Sequence, residues 1–304
     1  MARAGKAKNK SKAKSEQTGA KPKNPLPAQE QPRPGIEAKM TPRPQFLGPN
    51  YKGSAKLEGK VALITGGDSG IGKSVAVFYA REGADVSIVY LPEEEIDAKE
   101  TAEFIEKEGR RSLLIPGDVK DPKFCKSAVG KTVKEFGKLD ILVNNAAYQH
   151  HQKSIEDISD EQFEKTFRTN IFGYFYMAKA AIKHLPKGGV IVNTGSITGL
   201  EGEKELLDYS ATKGAIHAFT KSLAQSLVEK EIRVNCVSPG PVWTPLNVAD
   251  KKKEVAKHGA DTPMKRPAQP EEVAPAYVFF ASNADSSYIT GEVLTLLGGD
   301  TIAA

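Results

Sequence analysis

Six short apolar runs, rich in β-branched residues, recur from residue 61 onward, and stretches of helical period separate them. They cover residues 61–64, 86–91, 113–115, 141–143, 190–192 and 234–237. Runs this uniformly apolar suit strands covered on both faces, as in a parallel sheet, rather than half-exposed hairpins. Strands spaced by helices predict a single α/β domain, a doubly wound parallel sheet of the Rossmann type. Between the fourth and fifth runs, Ile171, Tyr174, Phe175, Ala178 and Ile182 mark one stripe of a long helix. Residues 93–108 suit a shorter amphipathic one. No run approaches ~18 apolar residues, which excludes a membrane-spanning helix. Two cysteines, Cys125 and Cys236, exclude a disulfide scaffold and read as structural thiols.

Charge divides the chain. Residues 1–55 hold 12 Lys/Arg against 3 Asp/Glu, whereas the remainder holds 31 against 35. The net charge of +5 therefore says nothing about what the body binds. Residues 1–24 lack apolar periodicity, and eight prolines lie between Pro22 and Pro49. Such a segment buries too little apolar surface to offset its ordering entropy. The expectation is a disordered or extended tail over residues 1–55 and a globular body over 56–304. The Lys run suits either an anionic surface such as nucleic acid or a solubilising role. The Pro-rich part, with Phe46, Leu47 and Tyr51, suits a course across the body or a neighbouring subunit. No apolar stretch of a secretory signal follows the basic start, so a cytoplasmic location is expected.

The first run ends in Thr65-Gly66-Gly67-Asp68-Ser69-Gly70-Ile71-Gly72, where strand gives way to helix. Gly66 permits a tight turn, Gly70 lets backbone approach a pyrophosphate, and Gly72 allows close helix–strand packing. The free N–H groups of the helix start favour phosphate. The spacing is T-G-x-x-x-G-x-G, and it resembles the short-chain dehydrogenase/reductase family. Asp118-Val119, Asn144-Asn145-Ala146-Ala147, Ser196, the Y-x-x-x-K pattern from Tyr209 to Lys213, and Pro239-Gly240 extend the resemblance in order along residues 57–300. Within the family the chain looks most like the branch of bacterial and plant proteins similar to glucose/ribitol dehydrogenases.

Tyr209 and Lys213 are four residues apart and share a helix face. A neighbouring ammonium and an oxidised nicotinamide both favour phenolate, so Tyr209 is the expected proton carrier. Ser196 follows a strand and is positioned to hydrogen-bond the substrate oxygen. The resemblance implies that Lys213 also holds the nicotinamide ribose and that Asn170 holds a water of the proton relay. It likewise implies adenine contacts from Asp118 and Val119, ribose-side contacts from Asn145 and Ala146, and nicotinamide contacts from Pro239, Gly240, Val242 and Thr244. The cofactor is then NAD or NADP. Tyr90 stands where an acid would bind the ribose 2′-OH of NAD, no Arg or Lys stands there for NADP, and Asp68 repels a 2′-phosphate. The balance leans to NAD.

The segments 148–151, 200–208 and 243–269 are the expected substrate walls. Gln149, His150, His151, Glu201, Glu203 and Lys204 make them polar beside Trp243, Leu246 and Met264. A polar wall favours a small polyol, sugar or short keto compound over a long acyl chain. Adjacent histidines point apart and have no evident carboxylate partner, so no metal site is expected. Two readings remain, an NAD(P)-dependent alcohol dehydrogenase or carbonyl reductase, and a nucleotide-binding stress or regulatory protein with a nucleic-acid-binding tail. Surplus aromatics Phe172, Tyr176 and Phe219 point to a homo-oligomer, and the resemblance implies a tetramer.

Overall fold

The computed structural model describes Gln17 and residues 19–301. The strands are β1 (Val61–Thr65), β2 (Asp85–Tyr90), β3 (Ser112–Pro116), β4 (Ile141–Asn144), β5 (Val190–Thr194), β6 (Arg233–Pro239) and β7 (Val293–Leu296). All pair in parallel, in the order β3-β2-β1-β4-β5-β6-β7. The principal helices are α1 (Gly70–Arg81), α2 (Glu95–Lys107), α3 (Pro122–Phe136), α4 (Asp160–Phe167), α5 (Gly173–Ala181), α6 (Leu207–Leu227), α7 (Pro245–Lys251) and α8 (Pro270–Ala281). Every residue of β1, β2, β4, β5 and β6 is buried, because helices cover both faces of the sheet. The strand order reverses between β1 and β4, and the crevice beyond their carboxyl ends is where such sheets take ligands.

Two departures from the sequence reading are local. β7 escaped it because this edge strand is only partly buried and its apolar signal is short. The helix around Asn170 is interrupted, with Arg168–Phe172 forming a π turn between α4 and α5. Phe175 leaves the core stripe there and stands 45% exposed, while Met177 is fully buried.

The third departure is larger. The Lys-rich stretch, expected either to meet an anionic surface or to solubilise, lies mostly outside the described residues, but residues 19–55 are not a loose tail. They form a strap wrapped across the body, the first of the two courses foreseen for the Pro-rich part. Leu26 and Met40 are buried in a small core with Trp243, Val248 and Val255, and Phe46 is 1% exposed against Phe104. Strap cations meet body carboxylates, Lys21 with Glu271, Arg33 with Asp250, and Arg43 with Glu100. The charge division along the sequence is thus partly neutralised within the fold. Few apolar anchors suffice because each fills a slot in a finished body, and prolines lower the entropy lost on docking. The ordered body therefore extends well before residue 56.

Candidate active site

The cleft at the strand-order reversal has a volume of about 470 Å³. Its phosphate-loop wall is Gly66, Asp68, Ser69, Gly70 and Ile71. Gly66 and Gly70 sit at φ 62° and 52°, a left-handed conformation that side chains rarely adopt. Thr65 and Gly72 do not reach the cleft and act behind it. The Thr65 hydroxyl accepts the N–H groups of Asn145 and Ala146 at 2.9 and 3.1 Å. A Cβ on Gly72 would stand 1.9 Å from the Gly66 carbonyl oxygen, so the helix packs there only as glycine. The Asn145 amide donates to Gly66 O at 2.9 Å and fastens the loop to β4.

Asp118 and Val119 line one end of the cleft with Tyr90, Glu93 and Glu94. Tyr90 is turned aside, its hydroxyl donating to Glu95. Beside it Glu94 is folded back so that its carboxylate accepts Leu91 N–H at 3.0 Å. Nothing in the sequence spacing announces Glu94 at this end, because the turn Pro92–Glu94 brings it there. Asp68 is 1% exposed, and its Oδ2 has no hydrogen-bond partner in the structure. Burial first, with Asp97 and Glu37 also contributing, pushes Asp68 up to about 7. Burial and Asp68 push Glu94 up to about 9.

At the other end Ser196, Tyr209 and Lys213 converge with Pro239, Gly240, Val242 and Thr244. Ser196 lies just beyond β5, and its hydroxyl accepts Thr198 N–H at 3.2 Å. Tyr209 and Lys213 occupy successive turns of α6. Asp208 docks that helix on α4 by accepting Thr166 Oγ1 at 2.6 Å and Gln162 Nε2 at 3.2 Å. Lys213 is 1% exposed, and its Nζ donates to the Thr194 carbonyl at 2.8 Å and lies 5.3 Å from the Tyr209 ring centre. Burial pushes Lys213 down to about 8. Burial also raises Tyr209 above the ordinary phenol value, against a hydrogen bond with Ser196 that lowers it. Desolvation thus outweighs that bond, and the phenol is raised where the sequence led to an expectation of lowering.

Asn170 lies behind the cleft rather than in it. Its Nδ2 donates to Tyr148 O at 2.9 Å and Thr212 Oγ1 at 3.0 Å, and its Oδ1 accepts Tyr148 N–H at 2.8 Å. These bonds hold the π turn against α6 and explain a polar residue within a helix. Of the expected substrate walls, Tyr148, Gln149 and Leu246 line the cleft. Trp243 does not, being fully buried under the strap with its Nε1 donating to Pro42 O at 2.9 Å. Met264 is 62% exposed, and Glu201, Glu203 and Lys204 edge a separate shallow depression. His151 does have a carboxylate partner, for its Nδ1 meets Asp250. Among the described residues no group of three His, Cys, Asp or Glu is placed to hold a metal. Cys125 and Cys236 are buried and free, their thiols pushed up to about 12 by burial.

These features fit an extended dinucleotide. The loop brings the Gly66 and Gly70 backbone to the cleft, Asp68 Oδ2 is an orphaned buried acceptor in the same wall, and a hydroxyl pair lies at the far end. The strap supplies Arg33, Pro34 and Gly35 to the same wall, which sequence reasoning missed.

A family model described as enoyl-(acyl carrier protein) reductase matches residues 66–301. An uncharacterized oxidoreductase, YhdF of Bacillus subtilis, is 59% identical over 272 residues, covering 89% of this chain and 93% of that one. Glucose and ribitol dehydrogenase of Daucus carota is 49% identical over 279 residues, covering 90% and 96%. A short-chain dehydrogenase from Burkholderia cenocepacia J2315, solved in complex with NADP, superposes with a TM-score of 0.75 at 35% identity, covering 80% of this chain and 98% of that one. No helix among the described residues is long and apolar enough to cross a membrane. The ordered motifs, the sheet order and these relatives agree, and the chain belongs to the short-chain dehydrogenase/reductase family of oxidoreductases.

Proposed function

We propose that the chain interconverts a small polar alcohol and its carbonyl, with NAD preferred over NADP. The convergence of Ser196, Tyr209 and Lys213 at one end of a cleft whose other end is the glycine loop carries this reading. When bound, the nicotinamide ring supplies or accepts the hydride. The Ser196 hydroxyl orients the substrate oxygen and stabilises charge that builds on it. The Tyr209 hydroxyl delivers its proton to a carbonyl oxygen, or as phenolate takes one from an alcohol. Lys213, anchored on Thr194, holds the ribose and supplies positive charge beside the phenol. Asn170 keeps the π turn registered on α6, so that a water chain behind Lys213 has a fixed wall. Gln149, 4% exposed, makes the substrate end polar, which supports a hydroxylated substrate over a long alkyl chain.

The lean to NAD rests on Asp68 and Glu94, acids that line the cleft. The NADP found in the Burkholderia relative argues the other way, so the ratio of kcat/KM for the two cofactors is the measurement to make. Asp68→Asn is expected to shift that ratio towards NADP. An oligomer is also proposed, because Phe163, Phe172 and Phe175 leave 41–45% of their surface exposed on α4, the π turn and α5. A monomer mass by light scattering would oppose it. The central test is Tyr209→Phe, which should abolish turnover while leaving dinucleotide affinity nearly intact. Retention of more than about a tenth of the rate, a loss below ~1.4 kcal/mol, removes Tyr209 from proton transfer.

A further inference from the structure

The glycine loop of this chain lacks a cation of its own. Lys73, one turn into α1, is fully buried and turned away from the cleft. Its Nζ is bound by Glu37 at 2.9 Å and Glu100 at 2.7 Å. The Gly70 N–H, at the start of that helix, is occupied too, donating to the Glu37 carboxylate at 2.7 Å. The strap has thus placed an anion beside the loop and consumed a nearby ammonium. A helix start offers roughly half a positive charge, and a dinucleotide diphosphate carries about two negative ones.

The same strap returns a cation four residues earlier. Gly35 packs so closely on Pro245 that a Cβ would stand 2.6 Å from its carbonyl oxygen. Pro245 in turn borders Gly70, whose added Cβ would lie 3.8 Å from the Pro245 ring. Arg33, two residues before Gly35, lines the same cleft as Gly66 and Gly70. Its guanidinium lies 5.7 Å from the Tyr148 ring centre, and both residues line the cleft. Nη2 of Arg33 is bound to Asp250 at 2.6 Å, and the side chain remains 31% exposed. Lys165 lies over the other side of Tyr148, 4.3 Å from the ring centre. Burial first, then Lys120 and Arg33, hold Lys165 below the ordinary lysine value, with Asp118 opposing.

We propose that Arg33, carried on the N-terminal strap, is a binding residue for the diphosphate of the dinucleotide and closes the mouth of the cleft over it. The strap lies outside residues 66–301, which the family model matches. The proposal rests on the dinucleotide reading above. A guanidinium on the wall of the cleft can grip phosphate oxygens bidentately, a contact that the loop amides alone do not supply.

The test is calorimetric binding of ADP, adenosine, NAD and NADP to the full chain, in the wild type and in Arg33→Ala, Arg33→Lys and Asp250→Asn. Arg33→Ala is expected to weaken ADP, NAD and NADP alike by about tenfold, leave adenosine unchanged, and flatten the salt dependence. Arg33→Lys should recover part of the loss. Asp250→Asn, which frees the guanidinium, should keep ADP affinity or tighten it. Unchanged ADP affinity with a raised KM for the carbonyl substrate would assign Arg33 to the substrate and overturn the proposal. Equal loss of ADP and adenosine, or equal loss in Asp250→Asn and Arg33→Ala, would reduce Arg33 to a structural tie. Failure of the wild type to bind either dinucleotide would instead remove the functional reading, and this inference with it.

Discussion

Glu37 is the point at which docking of the strap is most exposed to measurement. Its carboxylate is fully buried, accepts Gly70 N–H at 2.7 Å and Lys73 Nζ at 2.9 Å, and lies 3.6 Å from Arg43. Glu37→Ala removes all three contacts and leaves Lys73 dependent on Glu100, whose side chain is 27% exposed. Loss of one partner of a buried pair costs ~3–5 kcal/mol, and the surviving Glu100 contact places this case at the lower end, about 3 kcal/mol. In a domain of this size each kcal/mol moves the melting temperature by roughly 2 °C, so a fall of about 6 °C is expected. Glu37→Gln keeps an acceptor for Gly70 N–H and should lose about half as much. Thermal denaturation of the full chain followed by circular dichroism reads both. A fall below about 2 °C in Glu37→Ala would mean that the strap is not docked as described, and the argument from burial would fail.

Lys213→Met should abolish turnover without lowering the melting temperature at pH 7. Burial holds the Lys213 ammonium at about 8 instead of 10.5, a cost on the order of 3 kcal/mol, and Tyr174 also donates to the Thr194 carbonyl at 3.3 Å. Because the folded value lies below the unfolded one, wild-type stability from this group should rise as pH climbs from about 8 to 10.5; a melting temperature more than 5 °C lower in the variant contradicts this. Asp68→Asn should stabilise the protein at pH 8 and lose that advantage by about pH 4, since the folded carboxyl titrates near 7, above its unfolded value of 3.8, and its charge is a burden only when ionised. A gain that is the same at both pH values would place the effect elsewhere. With Tyr209 held above the ordinary phenol value, carbonyl reduction should be flat through neutral pH while alcohol oxidation climbs with pH; oxidation fastest near pH 6 would refute Tyr209 as the base.

Local patterns carried most of the catalytic domain. The apolar runs that became β1 to β6 are legible because each is covered on both faces, which demands uninterrupted apolar side chains. The glycine turn, Ser196 and the Tyr209–Lys213 pair were legible as neighbours for a related reason, since a strand end and one helix face bring them to the same cleft. Groups far apart in sequence were not. Glu94 enters the cleft through a turn, Trp243 leaves it to support Pro42, and Asn170 serves a π turn visible only once α4 and α5 are packed. The strap is the extreme case. Its composition is that of a segment unable to form a core of its own, which is correct of the segment alone. Leu26, Met40, Phe46 and Glu37 are buried because the folded body presents apolar slots, unpaired amides and the Lys73 ammonium to receive them. Docking there needs complementarity to a surface that exists only after folding, and the order of residues along a chain does not contain that surface.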